Sequence, residues 1–176
     1  NQFVMEALHH VGISALSFPP SGTVIASDGK VSIWDTTPIR MALANGILPV
    51  VYGDVVFDEV RGGTILSTED LFQHLARQLT PERILLAGLE AGVWADFPAR
   101  KRLLSGINPQ SYEELKASVG ASHGADVTGG MESKVGQMLA LVQTIPGLEA
   151  VIFSAEEPGN LARALTGEAL GTRISA

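Results

Sequence analysis

Short apolar runs alternate along this chain with longer stretches of helical periodicity, and Gly, Pro, Asn or Asp breakers separate the two. That alternation is the mark of a sheet with helices packed on it. The opening "NQFVMEALHHVG" reads as the second half of a helix with no start signal, so an N-terminally incomplete chain is expected. The apolar run "ISALSF" follows and ends at "PPSG". "VIASDGKVSIW" predicts a hairpin about Asp28-Gly29, and "TPIRMALANG" a short helix closed by Asn45-Gly46. "ILPVVYGD" reads as a buried strand that stops at Gly53 and Asp54. A second hairpin, "VVFDEVRGGTIL", leads into the helix "STEDLFQHLARQL", with Leu71, Phe72, Leu75 and Leu79 as its apolar stripe. Then come the strand "RILLAG", the irregular "LEAGVWADFPARKRLLSGINPQ", the helix "SYEELKASV" and the Gly-rich "GASHGADVTGG". A long helix, the strand "AVIFSA", the helix "PGNLARAL" and a closing "GTRI" complete the pattern. It predicts one α/β domain over 1–176, a three-layer α/β/α sandwich with a largely parallel central sheet.

Composition narrows the chemistry. With 12 Lys and Arg against 19 Asp and Glu the formal charge is −7, and no basic cluster is present to neutralise a run of phosphates, so no nucleic acid partner is expected. There is no cysteine, which removes disulfides, thiolate nucleophiles and thiolate metal sites. His9, His10, His74 and His123 show no metal-ligand spacing beyond a neighbouring pair, and no metal site is expected. No apolar run approaches the ~20 residues of a membrane span, and no export signal opens the chain. A cytoplasmic protein handling small molecules is the expectation.

The stretch "ADVTGGMESKVGQM" is the most specific piece of chemistry. Unpaired N–H groups and a positive dipole end at a helix N-terminus attract anions, and Gly129 and Gly130 just before it let a phosphate approach the backbone. With Met131, Val135, Met138, Leu139 and Val142 on the buried stripe, Lys134 falls beside it near the first turn, within reach of the same anion. A flexible turn followed by a surface lysine is the other reading. At "YGD" a strand end offers Gly53 for close ligand approach and Asp54 to orient a polar group, unless Asp54 only starts the hairpin. Ser67 and Asp70 have capping-box spacing, which accounts for Asp70. Glu69, in the same first turn, is placed to hold a cationic side chain.

In this order, "LPVVYGDVVFD", "GGTILSTEDLFQHLA", "RILLAG" with "GVWADFP", "DVTGGMESKV" and "FSAEEPGNLARALTGEALGTRI" resemble the amino-acid kinase family over nearly the whole chain. The resemblance implies ATP-dependent phosphoryl transfer onto the terminal phosphate of isopentenyl phosphate, with Mg²⁺ on the donor phosphates and a homodimer as the assembly. By the same resemblance Lys134 contacts the nucleotide phosphates and the transferring group, Gly129 and Gly130 lie beside those phosphates, and Asp126 shares their loop. Tyr52, Gly53 and Asp54 match the edge of the acceptor-phosphate site. Gly88, Gly92 and Trp94, with "EEPGNL", match the walls of the nucleotide site. Glu69 stands where relatives usually carry an aspartate that orders catalytic lysines. Three departures accompany this: the family's N-terminal Gly-Gly-Ser loop with its lysine and its His-containing Gly-rich segment are absent, "LAGLEAGVW" replaces a Thr-Asp and Val-Asp-Gly-Val-Tyr segment, and Glu69 is a methylene longer than the usual acid.

Overall fold

The computed structural model describes the backbone of residues 1–120 and 129–176 and the side chains of 1–115 and 130–176. The chain divides into two compact units, Asn1–Leu79 and Thr80–Ala176, each an α/β arrangement with its own core.

The first unit runs α1 (Gln2–His10), β1 (Ala15–Ser17), a single 3-10 turn (Pro20–Gly22), β2 (Val24–Ser27), β3 (Lys30–Trp34), α2 (Thr37–Ala44), β4 (Leu48–Val50), β5 (Asp54–Asp58), β6 (Gly62–Leu66) and α3 (Thr68–Leu79). β1 and β4 form a parallel pair, and β3-β2-β5-β6 form a four-stranded sheet in that order. Both expected hairpins are present, and the first turns through Asp28 and Gly29 with φ of 50° and 79°, a left-handed pair that Asp-Gly tolerates. Alternation along the strands sends Val24, Ala26, Trp34, Val56 and Leu66 to one face, where Ile39 of α2 and Leu71 and Leu75 of α3 complete the core. Two details differ from the pattern. The run "ILPVVYGD" is a strand only as far as Val50, the length over which β1 pairs with it, and Asp54 already belongs to β5. Phe72 is 40% exposed, because the buried stripe of α3 runs through Leu71, Leu75 and Ala76. His74 on the same helix stacks on Trp34 at 5.7 Å between ring centroids, and its Nε2 is buried without a hydrogen-bond partner.

The second unit runs β7 (Arg83–Gly88), β8 (Gly106–Ile107), α4 (Pro109–Gly120), α5 (Gly129–Thr144), β9 (Glu149–Ser154), α6 (Asn160–Leu165) and β10 (Thr172–Ile174). Its sheet has the order β7-β9-β10-β8. β7 and β9 are parallel in full register from Arg83↔Glu149 to Gly88↔Ser154, while β10 is antiparallel to β9 and parallel to β8. α5 covers β9 and β10, burying Val135, Met138, Leu139, Leu141 and Val142. The α/β class expected from the sequence is the class observed, and its sheets are mixed. Parallel pairs joined by crossovers (β1–β4, β2–β5, β7–β9, β8–β10) alternate with the antiparallel pairs of the two hairpins and of β9–β10.

Candidate functional site

In the first unit, the corner between β4 and β5 meets the start of α3. A Cβ on Gly53 would lie 3.1 Å from the Leu66 carbonyl oxygen and 3.3 Å from the Thr68 nitrogen, so the glycine lets this corner seat against the helix entrance. Ser67 caps that entrance: its Oγ accepts the Asp70 N–H at 3.1 Å and donates to Asp70 Oδ2 at 2.7 Å, while the Ser67 N–H donates to the same carboxylate at 3.0 Å. The capping box read from the sequence is therefore made. Glu69 is half-buried in the first turn, one residue before the capping acid. Asp54 is engaged locally. Its Oδ2 accepts the Ser21 N–H at 3.1 Å and its Oδ1 the Val55 N–H at 2.9 Å, and the bonds from Ser21 lower its pKa. Those bonds make it a pin for the Pro20–Gly22 turn as well as the first residue of the hairpin. Tyr52 is half-buried in the irregular link just before it. Tyr52, Gly53, Asp54 and Glu69 thus form one local group.

In the second unit the remaining described candidates lie at the end of β7, in the segment that follows it and at the start of α5. Gly88 and Ser154 are register partners at the carboxyl ends of two parallel strands, the position at which open α/β sheets take ligands. The four residues Ile145–Leu148 turn the chain from α5 into β9. Because α5 also packs along β9, it runs back over the strand, and at ~1.5 Å per residue its 16 residues carry Gly129-Gly130 toward the strand's carboxyl end. Lys134 is half-buried one turn into α5, beside the buried Val135. Asp126 lies outside the described residues.

The segment after β7, irregular in the sequence pattern, is an ordered small hairpin. Leu104 N–H donates to the Val93 carbonyl and Ala95 N–H to that of Arg102, both at 2.9 Å, so Trp94 and Leu103 face each other across an antiparallel bridge. Asp96 closes the tip by accepting from Lys101 and Arg102 N–H groups. Glu90 accepts the Trp94 indole N–H at 3.0 Å and pairs with Arg100. At the base, Thr172 of β10 accepts the Val93 N–H at 2.8 Å and donates to the Leu104 carbonyl at 2.6 Å, with none of its surface exposed. Gly92 owes its residue type to that hydroxyl, since a Cβ would meet Thr172 Oγ1 at 2.6 Å. Gly88 and Gly130 have no such reason: neither has a left-handed φ, and no described atom lies within 4 Å of a Cβ on either. Their missing side chains leave backbone open to a ligand.

Glu90, Asp96 and Thr172 escaped the sequence reading. No local pattern marks them in the sequence; Thr172 stands simply as the first residue of the closing Thr-Arg-Ile strand. Among the described residues no three His, Asp or Glu side chains are grouped to hold a metal ion, and no helix is long and apolar enough to cross a membrane.

The chain is 39% identical, over 99% of its length, to an isopentenyl phosphate kinase from Methanothermobacter thermautotrophicus and 30% identical to one from Methanocaldococcus jannaschii. It spans 66% and 63% of those proteins, just under two thirds of each. A crystal structure of isopentenyl phosphate kinase superposes with a TM-score of 0.80 at 36% identity, covering 99% of this chain and 65% of that one. The family model for the amino acid kinase family matches residues 1–154, and the chain belongs to the amino acid kinase family.

Proposed function

We propose that this protein transfers the γ-phosphoryl group of ATP to the terminal phosphate of isopentenyl phosphate, forming isopentenyl diphosphate and ADP. The observation that carries the reading is Gly88, at the carboxyl end of β7 opposite Ser154 of the parallel β9, where no described atom would meet a Cβ; Gly130, equally open at the start of α5, is proposed to face the same ligand. Similarity to the two archaeal isopentenyl phosphate kinases over 99% of the chain supports it. In this reading the nucleotide lies along Gly88, Gly92 and Trp94. Its phosphates meet Gly129, Gly130 and Lys134, with Asp126 on the same loop. Tyr52, Gly53 and Asp54 border the acceptor phosphate, and Glu69 orders lysine side chains without touching either anion, because two negative groups repel.

The chemistry suits these residues. In the transfer a phosphate oxygen of the acceptor attacks the γ-phosphorus and the bond to the β-phosphate oxygen breaks, releasing ADP. A phosphate acceptor is already ionised, so no strong base or nucleophile triad is needed, and catalysis is positioning plus neutralisation of charge. Lys134 and the backbone N–H groups of the α5 entrance supply that neutralisation. Mg²⁺ is proposed to accompany the donor nucleotide, where it would neutralise phosphate charge during the transfer. A cytoplasmic enzyme acting as a homodimer completes the reading.

The test is an acceptor panel with the full-length protein and ATP: isopentenyl phosphate, dimethylallyl phosphate and fosfomycin. The highest kcat/KM is expected for isopentenyl phosphate. A higher value for fosfomycin would assign the site to a different acceptor.

A further inference from the structure

We propose that Thr172 is a positioning residue for the nucleotide, acting through the small hairpin 93–104 and touching no ligand itself. The proposal rests on the kinase reading above for the identity of that ligand. The hairpin is tied internally, by Glu90 to Trp94 and Arg100 and by the Ala99 N–H to the Asp96 carbonyl. Its strands exchange two backbone hydrogen bonds, and its tip is held by Asp96. What fixes it to the sheet is β10. Arg173 N–H donates to the Ser105 carbonyl just beyond the hairpin, and the Thr172 hydroxyl bonds both of its arms, taking the Val93 N–H and giving its own proton to the Leu104 carbonyl.

Two glycines are shaped around this contact. Gly92 has room only for a hydrogen beside Thr172 Oγ1, and Gly171, at a left-handed φ of 60°, would place a Cβ 2.0 Å from the Ile152 carbonyl and 2.8 Å from that of Ala91. The chain therefore brings β10 hard against both the loop and β9 at a single point. Trp94 follows Val93 directly, and its indole N–H is held by Glu90 on the other side of Gly92. Moving the Thr172 anchor shifts Val93, and with it the ring proposed to wall the nucleotide site. The proposed acceptor residues Tyr52, Gly53 and Asp54 belong to the other compact unit, and the effect is expected on the nucleotide that Trp94 is proposed to wall.

Thr172→Val keeps the shape and removes both bonds, and Thr172→Ser keeps the hydroxyl. In the full-length protein, Thr172→Val is expected to raise the KM for ATP about tenfold, with kcat and the acceptor KM within about twofold, while Thr172→Ser stays near wild type. ATP titration followed by Trp94 emission, in a Trp34→Phe background, reports the same ordering as Kd without requiring turnover. If the Val variant does not fold, Thr172→Cys, a weaker donor and acceptor, takes its place and is expected to bind ATP more weakly than both Thr172→Ser and the wild type. Equal rises in both KM values, an unchanged ATP affinity in the Val or Cys variant, or equal behaviour of Ser and its comparison variant would overturn the proposal. A protein that binds ATP with this ordering but phosphorylates no isopentenyl phosphate would sustain it and reject the acceptor assignment. A wild-type protein that binds no ATP would reject both.

Discussion

Asp58 accepts N–H groups from Asp28, Gly29, Val60 and Arg61, at 2.7 to 3.1 Å, and so ties the tips of two hairpins together through one buried carboxylate. Burial raises its pKa, but the four N–H donors, Arg61 and Gly29 foremost, outweigh this and hold it at about 2. The folded value lies below the usual 3.8, so this stabilisation is present above about pH 4 and fades as the pH falls toward 2. Asp58→Asn is expected to lower Tm near neutral pH, by on the order of 5 °C, and to flatten Tm against pH between 4 and 2. Thermal melts across that range check it, and a parallel loss in both proteins would reject the role. Lys134 tests the chemistry instead of the fold: Lys134→Ala is expected to reduce kcat/KM by ~3 kcal/mol of barrier or more, because its contact strengthens as charge moves. Steady-state kinetics read this directly, and an unchanged rate would remove Lys134 from the site. The glycines separate in a similar way. A Cβ on Gly130 meets no described atom, so Gly130→Val should raise the KM for ATP with little change in Tm, whereas a Cβ on Gly53 meets the Leu66 carbonyl and the Thr68 nitrogen, so Gly53→Val should raise the acceptor KM and lower Tm.

At the scale of elements, what the sequence reveals is what is local. The hairpin at Asp28-Gly29, the capping box at Ser67 and Asp70 and the apolar run of β7 each carry their cause within a few residues, and each is present in the fold. The start of α5 at Gly129 was legible for the same reason. The hairpin 93–104 was not, because its order comes from Thr172 68 residues beyond Leu104 and from a glycine conformation at Gly171 that no local pattern announces. Gly92 shows the consequence: the sequence suggests a ligand contact, and the fold supplies a packing reason for the same glycine. The early end of β4 was hidden too, since pairing with the three-residue β1 sets its length. The cap offers an element-scale prediction. Ser67→Ala should cost about 1 kcal/mol of stability by leaving the Asp70 N–H and carboxylate without their partner, measured by urea unfolding. A cost near zero would mean that the helix entrance is held by other contacts.

At the scale of the molecule, both compact units have cores, yet the first shows apolar side chains on surfaces that ordinarily cover themselves. Phe3 on α1 is 85% exposed, and Ile33, Val55, Phe57 and Ile65 stand together on the sheet face opposite the core, with Ile25 paired to both Ile33 and Phe57. The 1–176 polypeptide expressed by itself is therefore expected to associate and to bind a hydrophobic dye, as followed by light scattering and ANS fluorescence; a monodisperse, cooperatively unfolding product would contradict this. Transfer between two phosphorylated small molecules is read without intermediaries by ³¹P NMR of the full-length protein with ATP and isopentenyl phosphate. The account predicts that diphosphate signals of the isopentenyl product grow in step with ADP, and that Lys134→Ala suppresses both. ATP left intact beside unchanged isopentenyl phosphate, or ADP accumulating with free phosphate and no isopentenyl diphosphate, would contradict it.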